Sequence, residues 1–182
     1  MSPKKALIYI GGSYLQLPGI RWAKELGLHV VVTDRNPNVP GRAIADRFEV
    51  ISGEDLSTLL ALANEVSSNY DLIGAYGGSD FSLLAVAEIA EAHNLPGPTI
   101  RAVRSALDKS VAKQHWLDAG LATPRGFTVT DLDEARNAAI DLGFPVIVKP
   151  IDSSGSRGVL TVDGIAGMEQ AYIKAREFSS IV

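Results

Sequence analysis

The chain has 182 residues, of which 46% are hydrophobic and 21% charged, and its formal net charge is −4. This composition is typical of a soluble globular protein with one ordinary domain or two small ones, and its acidic balance argues against a nucleic-acid partner. The absence of cysteine fits a cytoplasmic protein. The absence of cysteine excludes disulfides and thiolate metal sites, and no apolar segment approaches the length of a membrane span.

Short apolar runs alternate with helical patterns over the first hundred residues. The pattern predicts strands at 6–10, 29–33, 47–51 and 72–76, and helices at 18–26, 56–66 and 80–93. This alternation is typical of an α/β fold with a doubly wound parallel sheet, which binds ligands beyond the carboxyl ends of its strands. Residues 11–13, 34–36 and 77–80 fall at those ends, so we expect them to line one edge together.

The pattern changes from Thr99 onwards. It predicts helices at 99–106 and 108–119, a strand at 125–129, a helix that begins after Asp131 with a capping box to Glu134, and a strand that ends at Lys149. A loop, a strand at 159–162 and a helix to about residue 178 follow. This order predicts a small α+β domain, and we place the two domains at 1–100 and 108–182.

Lys149 follows the apolar run 146–148, between Pro145 and Pro150. An ammonium group is costly to bury unpaired, so a lysine in this place indicates an anionic partner. Taken alone, Lys149 is better explained as a lysine that only extends to the surface, and the interpretation as a phosphate contact depends on Lys109 and the following loop. Small residues then form a polar loop, 153–158, whose backbone N–H groups can converge on phosphate oxygens. The loop lacks the Walker A pattern. Lysine and loop together predict a polyphosphate site.

Two motifs carry a resemblance to a known family. The run from Gly143 to Pro150 with the loop that follows, preceded by 107–110 and 119–124, resembles the first half of an ATP-grasp nucleotide site. The resemblance covers essentially the whole chain and implies a pre-ATP-grasp domain followed by the N-terminal ATP-grasp subdomain of a ligase similar to carboxylate–amine ligases, biotin carboxylase or carbamoyl-phosphate synthetase. In that family a later lobe binds magnesium, so we expect a truncated chain that is inactive alone.

The resemblance also implies which residues bind. ATP would be held by two lysines and the loop: Lys109, Lys149, Ser153, Ser154, Gly155, Ser156 and Gly158. The substrate side would comprise Ser13, Asp34, Arg35, Asp80 and Arg157. ATP would convert a small carboxylate substrate to an acyl-phosphate, which an amine then attacks. No residue is assigned to catalysis or to metal binding, because the Mg²⁺ ligands are expected in the missing C-terminal part.

Other interpretations remain open at this point. The chain is alternatively a non-catalytic nucleotide-binding or assembly module, or a sheet domain with a structural appendage; its partner would be a second copy or a complementing C-terminal lobe. Arg157 is equally an exposed loop arginine, and Lys113 is interpreted as part of a solvated helix face. The Gly-x-Gly-x-x-Gly fingerprint is absent, which excludes a nicotinamide site. We expect residues after Asp108 to be the less stable part.

Overall fold

A computed structural model describes residues 3–182, and the chain divides into two compact units, the first ending at Arg104 and the second spanning Ser105–Val182. The first unit contains four strands, β1 (Lys5–Ile10), β2 (His29–Thr33), β3 (Arg47–Glu49) and β4 (Asp71–Gly77). They form one parallel sheet in the order β3-β2-β1-β4. The predicted α/β fold with a parallel sheet is therefore confirmed, with β3 two residues shorter than the predicted strand.

Helices cover both faces of this sheet. The helices of the first unit are α1 (Leu17–Glu25), α2 (Leu56–Asn69) and α3 (Asp80–Ala92). Ile8, Ile10 and Val31 pack with α2 and α3, whereas residues on the opposite face of the strands, such as Tyr9 and Val32, pack with α1. The strands are buried on both faces, which explains why the sequence shows continuous apolar runs rather than alternation.

The chain passes from the first unit to the second within α4 (Ile100–Leu107). The second unit contains α5 (Lys109–Asp118), α6 (Leu132–Leu142), β5 (Val146–Val148), β6 (Leu160–Val162) and α7 (Met168–Arg176). β5 and β6 form an antiparallel hairpin, and their buried side chains pack against α6 and α7. The carboxylate of Asp108 caps α5 by accepting from the backbone N–H groups of Ser110 and Val111.

The predicted strand at 125–129 is wrong. No regular strand forms between Leu121 and Thr130; instead Val129 and Val182 exchange reciprocal backbone hydrogen bonds of 2.8 and 3.1 Å. The predicted capping box is also displaced by one residue. Asp131 accepts from the N–H of Glu134, but the Glu134 carboxylate accepts from the backbone N–H and hydroxyl of Thr130.

Candidate functional site

The carboxyl ends of β1, β2 and β4 bring together the polar loops that the sequence predicts there. The Gly11 N–H donates to the Thr33 carbonyl at 2.7 Å, which holds the loop after β1 against the end of β2. Asp34 then accepts from the N–H groups of Gly12 and Asn36, both at 2.9 Å. The two oxygens of Asp34 therefore organise the edge itself, and a contact of this carboxylate with substrate remains a prediction.

Gln16 is a member of this edge that sequence reasoning missed. Its side chain is only 8% exposed, and its Oε1 accepts a hydrogen bond from the Ser13 hydroxyl. A Cβ added to Gly78 would lie 3.1 Å from the Gln16 side chain, and one added to Gly11 would lie 3.5 Å from it. Gln16 thus fills the crevice between the ends of β1 and β4. The chain that follows β1 runs to one face of the sheet, and the chain that follows β4 runs to the other. Open sheets of this kind bind ligands at that point.

Two further predicted residues of this edge, Arg35 and Asp80, are exposed and make no hydrogen bond or ion pair within residues 3–182. Tyr76 contributes a half-exposed ring at the same edge and packs on Tyr9, with 5.1 Å between ring centroids. Burial, together with Tyr76, raises the pKa of Tyr9, so the Tyr9 phenol stays protonated near neutral pH. The edge therefore offers hydroxyl, amide and charged groups of both signs.

The second unit contains the predicted phosphate site. Lys149 directly follows β5 and is exposed. Side chains alternate between the two faces of a strand, and Val148 is buried, so the Lys149 side chain is expected on the opposite, open face of the hairpin. Among residues 3–182 its ammonium has no hydrogen-bond or ion-pair partner. Ile147 lies on the same open face and is 64% exposed. Sequence reasoning missed Ile147, because an apolar residue within a strand indicates a core position when no structure is available.

Lys109 lies at the start of α5 and holds the beginning of the loop. Its ammonium donates to the carbonyls of Ser153 at 2.5 Å and Ile151 at 3.2 Å, and its backbone N–H donates to Ile151 at 2.9 Å. The hydroxyl of Ser153 is buried and has no hydrogen-bond partner within residues 3–182. An unpaired buried hydroxyl is costly, so a partner from outside the described residues would stabilise it.

The tip of the loop is a tight turn. Gly155 and Ser156 both have positive φ angles, 66° and 58°, and the Arg157 N–H donates back to the Ser154 carbonyl at 3.5 Å. Consecutive left-handed residues are typical of the primed turns that join hairpin strands. A Cβ added to Gly155 would meet no atom within 4 Å. The tip is therefore open, with its backbone available for a ligand to approach.

Lys113 was interpreted from the sequence as part of a solvated face, and the structure corrects this. Its ammonium donates to the carbonyl of Pro124, so it ties α5 to the segment that follows. Within residues 3–182 no group of three or more histidine or acidic side chains is placed to hold a metal ion. No helix in the described part of the chain is long and apolar enough to cross a membrane.

Comparison with known proteins identifies both units. The family model "ATP-grasp N-terminal domain" matches residues 20–97, and "Carbamoyl-phosphate synthase L chain, ATP binding domain" matches residues 108–181. A D-alanine–D-alanine ligase from Ectopseudomonas mendocina is 32% identical over 75% of this chain and 43% of its own length. A formate-dependent phosphoribosylglycinamide formyltransferase from Prochlorococcus marinus is 28% identical over 92% of this chain and 42% of its own.

Solved structures show the same fold. An N5-carboxyaminoimidazole ribonucleotide synthetase in complex with ADP superposes with a TM-score of 0.78 at 21% identity, over 97% of this chain and 46% of that one. The biotin carboxylase domain of Hydrogenobacter thermophilus 2-oxoglutarate carboxylase gives 0.77 at 22% identity, over 100% of this chain and 43% of that one. The chain thus spans less than half the length of each of these relatives. The chain belongs to the ATP-grasp family: its first unit matches the N-terminal domain model and its second unit the ATP-binding domain model.

Proposed function

We propose that this chain supplies the ATP-binding part of a ligase that activates a carboxylate as an acyl-phosphate for attack by an amine. The observation that carries the proposal is Lys149, an exposed ammonium without a partner among residues 3–182, which follows a buried strand beside a loop of small residues. An unpaired cation next to available backbone N–H groups is the arrangement that binds polyphosphate. The unpaired hydroxyl of Ser153 supports the same assignment.

In the proposed reaction the substrate carboxylate attacks the γ-phosphorus of ATP, and ADP leaves as the acyl-phosphate forms. An amine then attacks the carbonyl carbon, and phosphate leaves. Lys149 neutralises charge on the α- and β-phosphates, while backbone N–H groups of 153–158 cover the polyphosphate, and such positioning supplies most of the catalysis in phosphoryl transfer. Lys109 orients the loop through its bonds to the Ser153 and Ile151 carbonyls and contributes further positive charge.

The open face of the hairpin accounts for the rest of the nucleotide. Ile147 presents apolar surface on the face from which Lys149 leaves, so we assign the adenine to Ile147 and the phosphates to Lys149. Burial of the exposed part of an isoleucine against a base would contribute about 1 kcal/mol. The carboxylate or amine substrate is assigned to the edge of the first unit, at Ser13, Asp34, Arg35 and Asp80. Two relatives carry names that point to carboxylates, formate and D-alanine.

Mg²⁺ is part of the reaction in the proposal, but the described residues do not fit a magnesium site, because no cluster of carboxylates is placed to bind it. We therefore assign no step through the metal to this chain. Its ligands would come from sequence beyond these residues or from a partner. The 182-residue chain should accordingly bind ATP without releasing ADP.

Titration with ATP by calorimetry tests the proposal. Lys149→Ala should weaken ATP binding about ten-fold or more, because a hydrogen bond to a charged group contributes roughly 1.5–3 kcal/mol. Lys113→Ala removes the same charge from the same unit, where the ammonium donates to the Pro124 carbonyl, and should leave the affinity within about two-fold. Circular dichroism of both variants checks the fold. No binding by the wild-type chain, or equal losses in the two variants, would overturn the proposal.

A further inference from the structure

The ring of Phe178 lies against the end of the loop and under two cations. The guanidinium carbon of Arg157 is 5.6 Å from the ring centroid, and the ammonium nitrogen of Lys174 is 5.7 Å from it. Phe178 directly follows the last turn of α7, and its N–H donates to the Ala175 carbonyl at 3.1 Å. A Cβ added to Gly158 would lie 2.7 Å from the ring, so the loop backbone passes directly over Phe178.

The loop is therefore fixed at both ends and open between them. Lys109 holds Ser153 at the first end, and Phe178 packs against Gly158 at the second. The space around Gly155 is empty, and the turn is closed by weaker bonds of 3.5 and 3.3 Å from the N–H groups of Arg157 and Val159. Movement of the loop is thus expected at its tip, which carries Arg157.

From the alternation of side chains along β5, we infer that Lys149 belongs to the face of the hairpin opposite the one that packs on α7. α7 packs on the buried face of β5 and β6, and Phe178 extends that packing at the end of α7. Lys149 leaves from the open face. Arg157 lies on the Phe178 ring, and its Nε–H donates to the Ser154 carbonyl at 3.2 Å. In this position its guanidinium points away from a phosphate held at Lys149. To reach that phosphate, the guanidinium must leave the ring.

We propose that Arg157 exchanges between the Phe178 ring in the empty site and a phosphate of bound ATP, so that the aromatic ring competes with the nucleotide for the guanidinium. This inference rests on the proposed function and adds a regulatory contact to it. A guanidinium both stacks on aromatic rings and forms charge-assisted bonds to phosphate, which makes one side chain suitable for both places. If the ring competes with ATP for Arg157, removal of the ring tightens ATP binding. If the ring only supported the loop, its removal would not tighten ATP binding.

A double-mutant cycle with ATP titrated by calorimetry tests the exchange. Phe178→Leu keeps apolar packing under Gly158 and removes the π face, and should tighten ATP binding about two- to five-fold, the factor that an exposed cation–π contact contributes. Arg157→Gln should weaken binding, and in that background Phe178→Leu should have no effect. Lys174→Gln is the matched control, because it removes the other cation on the same ring from outside the loop.

The outcomes distinguish a failure of the Arg157 exchange from a failure of the proposed ATP-binding function. Unchanged or weaker binding by Phe178→Leu, or an equal gain in the Arg157→Gln background, overturns the exchange and leaves ATP binding intact. No ATP binding by the wild-type chain overturns both. If Phe178→Leu does not fold, Phe178→Met gives the same comparison. The Arg157 Nε–H resonance provides an independent readout, because leaving the ring on ATP addition removes its ring-current shift; a resonance that does not move contradicts the exchange.

Discussion

Gly158→Ala should destabilise the second unit strongly. Gly158 has a φ of +73°, and an added Cβ would lie 2.7 Å from Phe178 Cδ2 and 3.3 Å from both the Ala175 Cα and the Pro150 Cδ. The left-handed backbone costs a non-glycine residue about 1–2 kcal/mol. The close contacts add about 1–3 kcal/mol, because the ring can turn aside but the helix backbone cannot. We therefore expect a loss of about 2–5 kcal/mol in the free energy of unfolding.

Gly155→Ala separates these two contributions. Gly155 also has a positive φ, +66°, but an added Cβ would meet no atom within 4 Å. This variant should lose only the backbone part, about 1–2 kcal/mol. Urea unfolding followed by far-ultraviolet circular dichroism measures both variants. Equal losses at the two positions would show that the contact of Gly158 with Phe178 does not stabilise the loop, and the reasoning on the fixed loop end would be refuted.

Three further predictions concern both units. Asp34→Ala removes the acceptor for the N–H groups of Gly12 and Asn36. The free energy of unfolding of the first unit, measured in urea, should fall by about 1–3 kcal/mol. A loss below about 0.5 kcal/mol, roughly the error of such a measurement, would contradict the role of Asp34 at the edge. Burial lowers the pKa of His29 from 6.5, although Asp46 opposes the shift. As the pH falls, the unfolded chain therefore binds a proton at this position before the folded chain does. The free energy of unfolding keeps the whole His29 contribution above pH 6.5 and decreases below it. His29→Gln should flatten this fall in unfolding curves measured between pH 8 and pH 5, and an unchanged slope would contradict it. Hydrogen exchange should show weaker protection in residues 105–182 than in the first unit, whereas uniform protection would contradict that expectation.

The elements of the first unit could be predicted closely because their signals are local. β1 and β2 are apolar runs followed by glycine or aspartate. α1 ends at Glu25, with Leu26 as its C-cap and Gly27 in a left-handed conformation, φ +77°, close to the end that the sequence predicts. These boundaries depend on residues within a few positions of each other. The alternation of such signals was then sufficient to predict a parallel sheet and the edge where its loops meet.

The missed features depend on contacts between distant parts of the chain. Val129 lies at the end of a run with strand-like composition, yet within residues 3–182 its backbone pairs with Val182 alone, which no local pattern reveals. Gln16 appears in the sequence as one more polar residue of a loop, and only the positions of Gly11 and Gly78 show that it fills a crevice. The binding role of Lys149 remains a prediction: its ammonium is exposed and has no partner among the described residues, which is compatible both with a phosphate contact and with a lysine that only extends to the surface.

The pairing of Val129 with Val182 bears on when the protein can fold during synthesis. Val129 and Val182 are both buried in the core of the second unit, and the Ile151 N–H also donates to the Ile181 carbonyl. Translation proceeds from the N-terminus, so the parallel sheet of the first unit can form as soon as β4 and α3 have left the ribosome. The second unit has to wait for residues 181 and 182. Until they emerge, the ribosome would carry a folded first unit followed by a segment with exposed apolar surface, and chaperones would be expected to bind that segment.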